Sequence, residues 1–386
     1  MQLALDHGFT VETICFRFRN WSDTINAQMK AQFEQQGVQF HIIEAGREAG
    51  FNWLTSVVQE KFYRSISGII SLRGSALATA VSRRNSLLLQ ALKQVRRADW
   101  VIGHNPGALY ATLWAAKKLQ AKAGFDVEDY HPGEGHHLDL QKLSKKLMQE
   151  VLPAMDYVSF AAPLIREAVK NDLGKEGSHW ITILNYFPAA EFVAPVQIEG
   201  PLRLVWFSQN ISAGRGLEYI LPIVQKFEGE MELHLFGNMD ENFYEAHLIG
   251  LQNVIVHLPL AQKALHIGLS KFDVGLALEP KKDLNNDLAV SNKLLAYMQA
   301  GLFVFASDTA AQKQFLKNFS AKAEVVNIEN SREIEIVFTR ILENKERIRA
   351  ASRKDFQQCS ELSSETALQV LLDQLKQSTP LTNFMI

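Results

Sequence analysis

At 386 residues the chain exceeds what one hydrophobic core usually supports, and 47% apolar with 21% charged residues is an ordinary globular composition, so two domains are expected. A net charge of -2 excludes the global basic field that draws proteins onto nucleic acid, and the two cysteines, Cys15 and Cys359, have neither metal-ligand nor CxxC spacing, which fits a reducing cytoplasm. The first residues carry no secretion-signal pattern, and the longest strongly apolar stretch, Leu294 to Ala306, is too short to cross a bilayer, for which about 20 residues are needed.

The chain opens with Met1 to His7, which read as the last turns of a helix with Gly8 as its stop, ahead of a β-rich run at Phe9 to Cys15. An opening inside a strand-helix unit lacks the central first strand of a Rossmann sheet. An unpaired seam is therefore expected, and the sequence reads as a shortened or mis-started version of a longer chain. The next strand candidates are Val38 to Ile43, Trp100 to Gly103, Gly124 to Val127, Tyr157 to Phe160 and Trp180 to Leu184, with amphipathic helical stretches between them. Pro188, Pro195, Gly200 and Pro201 then interrupt both periodicities and mark a hinge. Beyond it the strands read Leu202 to Phe207, Glu232 to Phe236, Val254 to His257, Val274 to Leu278, Leu302 to Ala306 and Ala323 to Asn327. The alternation predicts an α/β protein with parallel sheets covered by helices. The expected divisions are a first domain over 1–190, a second over 191–365, and a C-terminal helix and tail over 366–386 that can pack back on the first domain.

Several segments in order resemble the GT-B glycosyltransferases grouped as family four. They are MQLALDHGFTVETICF, ADWVIGHNPGALYATLWAAKK, AMDYVSFAAPLIREAV, ITILNYFPAAEF, LRLVWFSQNISAGRGLEYI, NVIVHLPL, FDVGLALEP and SNKLLAYMQAGLFVFASD, the last being the most specific. The resemblance implies two Rossmann-like domains facing each other across a cleft. It also implies transfer of a sugar from a nucleotide diphosphate sugar, with retention of configuration, onto a glycan or lipid-linked acceptor in bacterial cell-surface polysaccharide assembly. Donor binding falls to the second domain and acceptor binding to the first. A GT-B sugar-nucleotide epimerase and a catalytically silent GT-B partner subunit are the competing readings.

Such transfer requires cations or aimed N-H groups where charge builds on the departing diphosphate. No Asp-x-Asp metal motif occurs, so a metal-independent site without a cofactor is expected. Arg215 lies between Gly214 and Gly216, after a strand and at the start of a helix, where its guanidinium and nearby N-H groups can meet phosphate oxygens. By resemblance it replaces a diphosphate-binding Lys; a solvated glycine turn is the competing reading. The family's preceding Arg is Asn210, so one of two cations is missing. Ser291 and Asn292 are helix N-caps that, with Lys293, open a second anion-binding helix start after an irregular stretch from Pro280 to Val290. The family's ribose-holding Glu-x7-Glu is replaced by Leu288 and Ala296, which leaves Asp287 and Glu279 as substitutes. Gly237 and Asn238, ending a strand, are candidate base or ribose contacts or a plain turn.

On the acceptor side the segment FDVEDYHPGEGHH supplies Asp129 and Glu134 as the preferred pair for activating or orienting a hydroxyl, and His104 ends a neighbouring strand. A metal cluster of His131, Glu134 and His136 is conceivable but lacks standard zinc spacing. Between Glu60 and Asp99 stand eight basic residues, Lys61, Arg64, Arg73, Arg83, Arg84, Lys93, Arg96 and Arg97, and no acidic one. Mixed with Phe62, Tyr63, Ile69, Ile70 and Leu72, this segment suits anionic lipid headgroups on the inner face of a membrane; a solvated helix face is the alternative.

Overall fold

The computed structural model describes residues 1–19, 23–378 and 383–385. They gather into two compact units, Met1–Ile183 with Gln369–Ile386, and Leu184–Leu368. The first break falls after Ile183 rather than at 190, because the following segment is tied to the second unit. Gln299 exchanges two 2.9 Å hydrogen bonds with the backbone of Phe187, and the Phe192 ring stacks on His266. At the other end the division falls inside the helix Ser364–Ser378, whose Leu372 and Leu375 pack on Phe9, Trp100 and Tyr157 of the first unit. Residues 379–382 and 386 of the expected tail lie outside the described residues.

The strands of the first unit are β1 (Thr10–Arg17), β2 (Gln39–Glu44), β3 (Trp100–His104), β4 (Lys122–Val127), β5 (Tyr157–Phe160) and β6 (Trp180–Thr182). Those of the second are β7 (Leu202–Ile211), β8 (Met231–Met239), β9 (Val254–His257), β10 (Val274–Ala277), β11 (Phe303–Ser307) and β12 (Ala323–Val326), in the parallel order β12-β11-β10-β7-β8-β9. Runs such as β5 and β10 are buried along their whole length, as parallel strands covered on both faces must be. The helix Asn292–Gln299 packs over β10 and β11, burying every residue from Leu294 to Gln299.

The seam expected in the first sheet is partly filled by the chain itself. A short thirteenth strand, β13 (Asn383–Met385), runs parallel between β1 and β3 and gives the order β2-β1-β13-β3-β4-β5-β6. Among the described residues its pairing reaches Glu12 on one side and Val101 on the other, and β1 continues to Arg17 and β3 to His104. Residues of those two strand ends, with Ser82, Arg84 and the start of the helix Pro106–Leu119, line a cavity of about 510 Å³. The short opening helix Gln2–Asp6 and the positive φ of Gly8 match the expected start.

Candidate functional site

In the second unit β7 leads through a glycine loop into the helix Leu217–Val224. Gly214 (φ 71°) and Gly216 (φ 88°) adopt the left-handed conformation that favours glycine. The loop is pressed onto the segment leaving β10: a Cβ on Gly216 would lie 3.1 Å from Leu278 Cβ, and one on Gly214 would lie 3.4 Å from Lys282 Nζ. Between the two glycines Arg215 is exposed. The Glu218 carboxylate is engaged by the Gly214 N-H.

One residue beyond Leu278, Glu279 accepts hydrogen bonds from Ser291 Oγ (2.8 Å) and Lys293 Nζ (2.6 Å). Ser291 Oγ in turn accepts the Lys293 N-H at 3.3 Å and so caps the helix Asn292–Gln299, as its position before an apolar run predicts. Gly214, Arg215, Gly216, Glu279, Ser291, Asn292 and Lys293 therefore lie on strand-end loops and a helix start at the C-terminal rim of one parallel sheet, where α/β folds bind ligands. The rim combines a guanidinium, an ammonium and the positive end of a helix dipole.

Two expectations for this unit need correction. Asp287 does not lie in an irregular stretch: it belongs to a short helix, Leu284–Leu288, that Asp283 caps, and its Oδ1 accepts the Ala310 N-H at 2.8 Å, holding the next helix start. Gly237 and Asn238 do not end β8, which runs on to Met239 beside a β-bulge in β7. There a side chain on Gly237 would collide with the Ser208 carbonyl oxygen, and the Asn238 amide donates to the Gln209 carbonyl at 2.9 Å. Both residues are thus occupied in joining two strands. Lys282 Nζ also comes close to this loop, an approach of two loops that leaves no local signature in the sequence.

In the first unit β3 and β4 place His104 opposite Asp126. His104 Nδ1 lies 3.3 Å from Asp126 Oδ2 and 3.5 Å from Glu128 Oε1, and Ser159 Oγ donates to Asp126 Oδ1 at 2.8 Å. Burial alone would pull the imidazole pKa down, but hydrogen bonds to the two carboxylates, reinforced by their charges, push it up to about 9. At neutral pH His104 is a cation and a donor rather than a proton acceptor.

The carboxylates against His104 are thus Asp126 and Glu128. Glu134 instead pairs with His131 Nδ1 at 2.8 Å. Among the described residues, His104, Asp126 and Glu128 form the one group of potential metal ligands gathered within 4.8 Å, so His131, Glu134 and His136 are not brought together as a cluster. His104, His131 and Glu134 all line the 510 Å³ cavity. The alternation of Asp126 and Glu128 at a strand end was the available signal for the His104 partners.

The basic segment is divided in space. Arg64 is turned onto the Ala80 carbonyl and Glu60, Arg83 reaches the Ala45 carbonyl, and Arg84 lies over the Phe18 ring at 4.9 Å. The larger exposed feature begins earlier. On the helix Phe51–Ile66 the side chains of Phe51, Leu54, Val58 and Phe62 share one face at spacings of three and four, followed by Ile69 and Ile70, and all six are at least half exposed. Lys61 and Arg73 are exposed beside them, and Lys146 donates to Ser71 Oγ at 2.6 Å. No helix among the described residues is long and apolar enough to cross a membrane.

No protein-family model matches the chain, and no curated protein matches it. Solved structures do. HepE of Anabaena, determined in complex with UDP, superposes with a TM-score of 0.65 at 10% identity, covering 95% of this chain and 100% of that one. A glycosyltransferase from Rickettsia africae gives 0.62 at 12% identity, covering 96% and 98%. A putative UDP-N-acetylglucosamine 2-epimerase from Listeria monocytogenes gives 0.53 at 14% identity, covering 98% and 99%. At such identities the likeness establishes the fold. The chain has the GT-B fold, with two Rossmann-like units carrying parallel sheets.

Proposed function

We propose that the protein is a glycosyltransferase that moves a sugar from a nucleotide diphosphate sugar to a glycan or lipid-linked acceptor, with retention and without a metal, in bacterial cell-surface polysaccharide assembly. The observation that carries this reading is the gathering of Arg215, the glycine loop and the Ser291–Lys293 helix start on one sheet rim of a GT-B fold. Cations and N-H groups fixed in place stabilise charge on a departing diphosphate because they need no reorganisation as it develops. In this reading Glu279 holds Lys293 and the helix start ready in the free protein, and a diphosphate competes with the carboxylate for the same ammonium.

The acceptor falls to the first unit, with His104 donating to a sugar oxygen while Asp126 and Glu128 hold it protonated. Asp129 and Glu134 remain the candidates for orienting the acceptor hydroxyl. A lipid-linked acceptor would be met at the inner face of an anionic membrane, and the apolar row from Phe51 to Ile70 with Lys61 and Arg73 supports a docking surface there that overlaps the start of the 61–97 segment.

The direct test is a thermal-shift screen of nucleoside diphosphates and nucleotide sugars, since a ligand at 100 times its Kd stabilises the native state by about 2.7 kcal/mol. No stabilisation by any of them would reject the proposal. The Listeria fold relative keeps an epimerase in view. Isomerisation or hydrolysis of the donor in the absence of acceptor would favour it, and nucleotide binding without any turnover would favour a silent partner subunit.

A further inference from the structure

We infer that Lys282 supplies the second diphosphate-binding cation, taking from a different loop the part that Asn210 cannot play. The inference rests on the donor reading above and deepens it. Asn210, near the end of β7, is neutral, which leaves Arg215 as the lone cation of its loop. The segment after β10 closes this gap from the opposite side. A Cβ on Gly214 would meet Lys282 Nζ at 3.4 Å and Cε at 3.6 Å, so the ammonium lies against the backbone of the glycine loop.

Local chemistry explains the placement. Lys282 N-H donates to the Pro280 carbonyl at 2.8 Å, a tight turn that separates the directions of the two adjacent lysines. Lys281 goes to Asp308 at 3.0 Å and is neutralised there. Of the nearby carboxylates, Glu279 accepts from Ser291 and Lys293, Asp283 from the Asn286 N-H and Asp287 from the Ala310 N-H, while Glu218 accepts the Gly214 N-H through one oxygen and keeps the other buried without a hydrogen-bond partner. Among the described residues, neither Lys282 nor Arg215 has a side-chain ion pair. Two exposed cations without counter-ions, one from each of two loops in contact, suit a ligand carrying two adjacent phosphates. Gly214, at φ 71°, brings the loop backbone within van der Waals reach of the lysine.

The test measures dissociation constants of the tightest-binding nucleoside diphosphate among UDP, GDP, ADP and dTDP, and of its parent nucleoside, by titration calorimetry. Wild type, Lys282→Ala, Lys282→Arg and the double variant Lys282→Ala/Asn210→Arg are compared, with thermal unfolding of each free protein as the folding control. Lys282→Ala is expected to weaken the diphosphate about tenfold, the low end for a charged hydrogen bond because the lysine is exposed, and to leave the parent nucleoside unchanged. Lys282→Arg should hold the affinity, and Asn210→Arg should recover part of it in the alanine background. Unchanged diphosphate affinity in Lys282→Ala, or an equal loss for the parent nucleoside, overturns the inference while the donor reading stands. A wild-type protein that binds none of the four diphosphates overturns both.

Discussion

Two glycines of the second unit separate the cost of a left-handed backbone from the cost of lost contact between loops. Gly216 and Gly250 have nearly equal φ, 88° and 85°, but a Cβ on Gly216 meets Leu278 Cβ at 3.1 Å and Ile328 Cδ1 at 3.4 Å, whereas one on Gly250 meets nothing within 4 Å. Gly250→Ala should therefore show the conformational term alone, about 1–2 kcal/mol. Gly216→Ala adds overpacking against a strand end that cannot move freely, about 1 kcal/mol or more. The expected losses are thus about 1–2 and about 2–3 kcal/mol, read from urea unfolding followed by circular dichroism. Only Gly216→Ala should also weaken nucleotide binding, because displacing the loop from Leu278 carries Arg215 with it. Equal losses of stability in the two variants, or unaltered nucleotide affinity in Gly216→Ala, would refute the argument that close packing of this loop sets the site.

Two further perturbations address the first unit. The His104 pKa is raised to about 9 in the folded state against an ordinary 6.5, so its stabilising contribution is complete below about pH 6.5 and disappears as pH climbs through about 9. The stability gap between wild type and His104→Gln should be no more than about 1 kcal/mol for a pair this exposed, widest near pH 6 and closed near pH 10; a gap that grows with pH would contradict the assignment. On the apolar row, Val58→Glu and Phe62→Glu should each lower sedimentation with vesicles rich in anionic lipid by on the order of tenfold, since each removes an insertable side chain and adds a repelled charge. Equal binding of wild type and both variants would remove this face from any membrane role.

Much of the fold is legible in the residues because fully buried parallel strands must be short apolar runs, and all twelve strands expected from such runs are present. Their ends are less legible. β8 runs past Phe236 because a bulge in β7 keeps the ladder going, and a bulge is a feature of pairing rather than of either sequence alone. β13 is invisible for a similar reason: three residues near the C-terminus carry no period, and only the seam between β1 and β3 makes them a strand. The helix start at Ser291 was readable as a local cap, whereas the short helix at Leu284–Leu288 also had a cap signal, in Asp283, that the flanking Pro280 and lysines obscured. Asp287 and Glu279 looked alike as substitute ribose ligands. Tertiary structure engages both at helix starts, Asp287 by the Ala310 N-H and Glu279 by the Ser291 hydroxyl and the Lys293 ammonium.

The central claim is that positive charge on the second unit receives a diphosphate, and Arg215→Ala tests it most directly. With the nucleotide sugar found by the binding screen as donor, turnover is measured for the wild type and for this variant, with thermal unfolding as a control for folding. The account predicts a loss on the order of a hundredfold or more with unfolding unchanged, by analogy with removal of one transition-state donor. Turnover equal to that of the wild type would contradict it.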